Sequence, residues 1–102
     1  HDLGDVAGEG VLLDVRSSNE YASGHAPGAT HIPLGYLTAR ANELPRNLPV
    51  YAHCGGGGRS SIAVSILHKL GFKNVSNIPG GFYEYKELGL PIETGNPEPV
   101  SR

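Results

Sequence analysis

The chain has 102 residues, a formal charge of −2 and 38% hydrophobic content, which suits one small globular domain with a modest core. It has no polybasic run to hold nucleic acid and no apolar stretch near ~20 residues to cross a membrane, so neither partner is expected. Cys54 is the single cysteine, which excludes an internal disulfide and suits a reducing, cytoplasmic setting; there is no signal-peptide pattern.

Fifteen glycines and eight prolines punctuate short apolar runs. Val11-Leu12-Leu13-Asp14-Val15 reads as a buried strand. Ser17 to Glu20 supply capping chemistry for a short helical turn through Ala22, which Gly24 ends. Ala26 to Ala29 form a turn, and Thr30-His31-Ile32 a second strand stopped by Pro33. Leu34, Leu37, Ala41 and Leu44 recur at spacings of three and four, predicting an amphipathic helix closed by Pro45. Val50-Tyr51-Ala52-His53 is a third strand. After four glycines comes a second helix, with Ile62, Ala63, Ile66, Leu67 and Leu70 on one face and Gly71 as its C-terminal cap. Asn74 to Ile78 form the next strand, Pro79-Gly80-Gly81 a turn, and Phe82 to Leu88 a last helical piece ended by Gly89.

Strands alternating with helices, with no hairpin signal, predict an α/β domain: a mainly parallel central sheet of about five strands flanked by helices. The domain is expected over 1–93, with a Pro-containing tail or linker over 94–102. The sequence starts at His1 and has no Met, which suggests a processed chain or an excised domain.

Cys54-Gly55-Gly56-Gly57-Gly58-Arg59-Ser60 joins a strand to a helix N-terminus. Unpaired N–H groups and the helix dipole favour an anion there, successive glycines let the backbone curl into a nest, and Arg59 adds a full positive charge. A thiolate at such a place is stabilised: a free thiol titrates near ~8.5, and such settings bring it to ~7 or below, each unit being about 1.4 kcal/mol. A lone cysteine is otherwise a small buried hydrophobe, and four glycines alone a flexible loop. Two chemistries use a Cys-loop-Arg cradle. A phosphatase wraps a tetrahedral phosphate and has five residues between Cys and Arg; a sulfurtransferase wraps a smaller persulfide. The four residues between Cys54 and Arg59 favour sulfur.

Four motifs in order resemble the rhodanese family. Asp14-Val15-Arg16 with Glu20-Tyr21 is similar to its early Asp-x-Arg and Glu-aromatic pair. Gly24-His25-Ala26-Pro27-Gly28-Ala29 with Ile32-Pro33 is similar to its Gly-His-Ile-Pro-Gly-Ala…Ile-Pro stretch. Cys54 to Ser60 resembles its Cys-x-x-Gly-x-Arg-Ser loop, and Gly80-Gly81-Phe82 through Gly89-Leu90-Pro91 its closing segment. Tyr85 stands where the family usually has Trp, and Ala26 where it has Ile, both packing variants. The family's first strand is missing before Asp2-Leu3, consistent with a fusion-derived domain.

The resemblance implies that Cys54 takes sulfur from a small donor, thiosulfate-like or a persulfide, becomes a persulfide, and passes sulfur to a thiol or cyanide, with no cofactor and no metal. The N–H groups of Gly55, Gly56, Gly57, Gly58, Arg59 and Ser60 would cradle the persulfide. Arg59 would close the loop and attract anionic donors, or make an ion pair with Asp14. Arg16 and Glu20, four apart, are expected to pair. His53 neighbours Cys54 on a strand and so points to the opposite face, as a packed histidine. His25 is expected to be structural, and His31 and His68 have no metal-ligand spacing. A second class remains: a sulfur-carrier or interaction module of a larger sulfur-metabolism enzyme, similar to parts of persulfide dioxygenases and coenzyme A disulfide reductases. A Cys-dependent phosphatase or arsenate reductase is disfavoured by loop length.

Overall fold

The computed structural model describes residues 10–95. Four short strands lie side by side in the order β2-β1-β3-β4: β1 (Val11–Asp14), β2 (Thr30–His31), β3 (Val50–His53) and β4 (Val75–Asn77). Every pairing is parallel, with Val11 opposite Val50 and Val50 opposite Val75. The helices are α1 (Ser18–Ser23), α2 (Leu37–Arg40), α3 (Gly58–Lys69) and α4 (Gly81–Glu87). The α/β class and the parallel central sheet are as expected. The sheet has four strands among the described residues instead of about five, matching the four β-type runs that the sequence itself supplies. The expected gap before Asp2-Leu3 lies outside the described residues, and so does the tail from residue 96 onward. Glu93 is tied by paired backbone hydrogen bonds to His25 (2.8 and 2.9 Å), and the Gly95 N–H reaches the Ala22 carbonyl (2.7 Å).

Period-two alternation on β3 sorts the core. Val50, Ala52 and Cys54 face one layer with Leu13, Leu37 and Leu67, whereas Tyr51 faces the other with Ile78, Phe82 and Tyr85. Each large side chain buried this way contributes roughly 1.5–3 kcal/mol.

Two helical expectations are refined. The stretch from Leu34 is not one helix. A 3-10 turn (Leu34–Tyr36), the single α-helical turn of α2, and another 3-10 turn (Ala41–Glu43) follow one another, and no side chain caps any of the three. The apolar spacing of three, four and three fits that sequence of turns, so Leu37, Ala41 and Leu44 still reach the core. On α3 the buried stripe is Ser60, Ala63 and Leu67; Ile62 lies a quarter-turn away and is 53% exposed.

All four strands end at the same edge. The order 2-1-3-4 reverses direction between β1 and β3, the place where open parallel sheets gather ligands. Cys54 follows β3 at that edge, and Arg16 follows β1.

Candidate active site

Cys54 leaves β3 with its side chain buried, and the chain turns at once into α3. Gly57 is the N-cap of that helix and has φ = +108°, a left-handed conformation that favours glycine. A Cβ there would also lie 2.6 Å from the Pro79 carbonyl oxygen. The bend aims the Gly57 N–H at Cys54 Sγ, 3.0 Å away. Ser60, fully buried in the first turn of α3, places its Oγ 3.6 Å from the same sulfur. The sulfur therefore sits over the N-terminus of a twelve-residue helix.

Burial is the largest single influence on the thiol and pushes its pKa up. Hydrogen bonds from the backbone N–H groups of Ser60, Gly57 and Arg59, together with the Ser60 hydroxyl when it donates to the sulfur, outweigh it, so the pKa lies below the ordinary thiol value. Of the expected cradle, Cys54, Gly57, Arg59 and Ser60 meet around one sulfur. Gly55, Gly56 and Gly58 complete the ring, with the Gly55 carbonyl accepting the Tyr83 N–H (3.0 Å) and Gly56 lying against the Tyr83 ring. Gly81 makes this docking possible: its φ is +55°, and a Cβ there would come within 2.4 Å of the Cys54 carbonyl oxygen.

The expected ion pairs are exchanged. Arg59 reaches Glu20 on α1, with Nη1–Oε1 at 2.6 Å and Nη2–Oε2 at 3.0 Å, and does not pair with Asp14. The Arg59 guanidinium is the main reason that the Glu20 carboxyl is held down at about 2, and Glu20 holds Arg59 above its usual range in turn. Arg16 turns from Glu20 to Asp14, two residues back, in a bidentate pair at 3.0 and 2.8 Å, and its Nη2 also donates to the Gly24 carbonyl (2.8 Å). The Ser17 capping box folds Glu20 back over the helix start, where Arg59 of α3 meets it, while Arg16 is buried at the end of β1 against Asp14.

A model of the rhodanese-like domain matches residues 2–88. The chain belongs to the rhodanese-like domain family. It is 34% identical over 82 residues to a sulfurtransferase of Allochromatium vinosum, covering 80% of this chain and 77% of that one. It is 45% identical over 74 residues to YrkF, a candidate sulfur carrier protein of Bacillus subtilis; the match covers 72% of this chain and spans 40% of YrkF's length. The crystal structure of a rhodanese-related protein from Thermoplasma volcanium superposes with a TM-score of 0.81 at 30% identity, covering 89% of this chain and 90% of that chain.

The structure accounts for one departure within this rhodanese-like domain. Tyr85 fills the usual Trp position, stacks against Phe82 with centroids 6.0 Å apart, and donates its hydroxyl to the Pro91 carbonyl (2.6 Å). His25 and His31 sandwich the Tyr21 ring at 3.7 and 4.2 Å, and a ring nitrogen of each lies against a backbone carbonyl, that of Tyr21 for His25 (2.7 Å) and that of Arg16 for His31 (2.8 Å). Tyr83 and Asn77 also stand at the site, and neither is marked by a motif in the sequence. Tyr83 is an exposed aromatic just after the Gly-Gly turn, a faint signal, and Asn77 is one polar residue at a strand end, which signals nothing by itself. Tyr83 also lines a cleft of about 230 Å³ with Arg16, Glu20, Gly24, Phe82 and Lys86.

His53 points away from the sulfur, toward Asp14 (Nε2–Oδ2, 3.8 Å), and its buried Nε2 has no hydrogen-bond partner among the described residues. Burial is the main reason that its pKa is lowered, against the opposing pull of Asp14. An unfolded histidine titrates near ~6.5, so below that pH the unfolded chain takes up a proton that the folded one refuses. Stability should then be complete above ~6.5 and decline as pH falls, by up to ~1.4 kcal/mol per unit. Urea midpoints at falling pH check this; an unchanged slope in His53→Gln would assign the effect to another group.

Proposed function

We propose that this domain transfers sulfane sulfur through a persulfide on Cys54. The observation that carries the reading is the Gly57 N–H placed 3.0 Å from a sulfur lodged at the start of α3, a donor set for an anion. The Cys54 thiolate attacks the outer sulfur of a donor such as thiosulfate. A new S–S bond forms on Cys54, the donor's own S–S bond breaks, and its electron pair leaves with sulfite. An acceptor thiolate or cyanide then attacks the outer persulfide sulfur, and Cys54 leaves again as the thiolate. Electrons balance between donor and acceptor, so Cys54 ends as it began. A cysteine already shifted toward the thiolate needs no separate base, which agrees with His53 lying on the other side of β3.

In this reading Cys54 is the catalytic residue, and the N–H groups from Gly55 to Ser60 hold the outgoing persulfide. Arg59, already neutralised by Glu20, braces the loop against α1 more than it attracts donors. The ring of four residues between Cys54 and Arg59 is short for a phosphoryl group and favours sulfur over the phosphatase alternative. A cytoplasmic setting and a domain over residues 1–93 complete the proposal.

Mass spectrometry after thiosulfate treatment tests it. The Cys54 peptide is expected to carry one added sulfur, released by cyanide as thiocyanate. An unlabelled Cys54 together with hydrolysis of phosphate esters would overturn the proposal.

A carrier role within a larger sulfur-metabolism protein is the second reading, favoured because the chain spans 40% of YrkF's length. Multiple turnovers with thiosulfate and cyanide support the free enzyme; one sulfur per chain, discharged only to a protein partner, supports the carrier.

A further inference from the structure

Ser60 has one hydroxyl hydrogen, and three acceptors among the described residues compete for it. Asn77 Oδ1, on the last residue of β4, lies 2.5 Å from Ser60 Oγ; the Gly57 carbonyl lies at 3.3 Å and Cys54 Sγ at 3.6 Å. A hydroxyl donates once and accepts through two lone pairs. With the Asn77 oxygen nearest, the hydrogen goes to Asn77, and the sulfur meets a Ser60 lone pair. That arrangement receives an S–H and opposes a thiolate.

A half-turn of the Asn77 amide reverses the polarity. Its NH₂ then donates to Ser60 Oγ, and the hydroxyl hydrogen is released to the two acceptors that remain, the Gly57 carbonyl and the sulfur, of which a charged thiolate is the stronger. The terminal amide torsion is soft and two-fold, and its oxygen and nitrogen differ little in size. Among the described residues nothing else hydrogen-bonds the Asn77 amide, so the turn costs no other contact. Ser60 is fully buried, so solvent does not supply the missing hydrogen.

We propose that Asn77 is a positioning residue for the Cys54 sulfur: the orientation of its amide decides whether the Ser60 hydroxyl donates to that sulfur or is withdrawn from it. The thiol is matched by the Asn77 oxygen facing Ser60, and the thiolate by the nitrogen. The charged groups around the sulfur are otherwise fixed. Arg59 with Glu20 stands at the loop, the Tyr83 phenol lies over Gly55, and His53 with Asp14 and Arg16 lies behind β3. Asn77 is neutral, so its effect runs through the hydroxyl.

The proposal rests on Cys54 being the reactive sulfur. Its test is the pH dependence of Cys54 alkylation by iodoacetamide, a direct measure of the thiolate in a chain with one cysteine. Asn77→Asp keeps the shape but presents acceptors alone, so the alkylation midpoint should rise by about one pH unit or more. In a Ser60→Ala background the same Asp should raise it less than half as much, because its charge alone remains. Asn77→Ala removes the competing acceptor and should leave the midpoint at or below that of the wild type. Equal Asn77→Asp shifts with and without Ser60, or equal shifts of one sign in Asn77→Asp and Asn77→Ala, would overturn the proposal. If Asn77→Asp does not fold, Ser60→Ala against Asn77→Ala decides: the first must raise the midpoint and the second must not. A Cys54 that shows these shifts yet takes sulfur neither from thiosulfate nor from a small persulfide refutes the transfer reading and leaves the role of Asn77 standing.

Discussion

Cys54→Ser is expected to reduce sulfur transfer to the uncatalysed background while the domain melts within a few degrees of the wild type. The two halves have separate causes. A serine hydroxyl is not ionised near neutral pH and forms no sulfur-bearing adduct, so the first attack on the donor does not occur. The fold, by contrast, barely registers the exchange. The new oxygen lies where the Gly57 N–H already points, 3.0 Å from the sulfur, so the buried hydroxyl has a partner and the stability change stays within about 1 kcal/mol. Thiocyanate assay and thermal melts on the same preparation check both halves. Residual transfer above background in Cys54→Ser would move the nucleophile elsewhere, and a collapsed melt would mean that activity was lost through the fold.

What the sequence makes legible here is local. The four strands announce themselves as short runs that each hold a β-branched residue, Val11, Thr30, Val50 or Val75, between Gly and Pro breaks, and Cys54 through Ser60 is readable because a nest is built from consecutive residues. The facing of His53 away from Cys54 follows from the two-residue period of a strand. The pairings are not local. Arg59 and Glu20 are 39 positions apart, and they meet because α1 and α3 lie at the same sheet edge, a fact of assembly and not of spacing. The same assembly denies Glu20 to Arg16, although their separation of four invites a helical pair; Arg16 precedes α1 and is buried at the end of β1. Asn77 is silent in the sequence for a related reason. Its meaning comes from Ser60, seventeen positions away, and Ser60 takes its own from Cys54.

Asp14→Ala should be the most destabilising single change at this edge, by about 3–5 kcal/mol. Asp14 is fully buried and Arg16 nearly so. The carboxylate accepts from Arg16 Nε and Nη2 and also from the Arg16 backbone N–H (3.0 Å). Removing it leaves a guanidinium without its counter-ion, held by the Gly24 carbonyl and stacked over the Phe82 ring at 4.1 Å, too little to offset the lost charge. Small domains are stable by roughly 5–15 kcal/mol, so such a loss takes a large share. At ~4–8 °C per kcal/mol, the melting temperature should fall by more than about 10 °C. The double replacement Asp14→Leu with Arg16→Met makes the sharper comparison. A buried pair has a large desolvation cost, so removing both charges should be less harmful than removing Asp14 alone. A double variant as unstable as the sum of its singles would mean that the two residues act independently, against the bidentate geometry. The damage should also reach the sulfur. Arg16 ties the end of β1 to Gly24 at the close of α1, and α1 carries the Glu20 that braces Arg59. Folded Asp14→Ala, measured well below its melting temperature, should therefore accept sulfur more slowly than the wild type although Cys54 and its ring are untouched; an unchanged rate would show that the loop keeps its shape without that brace.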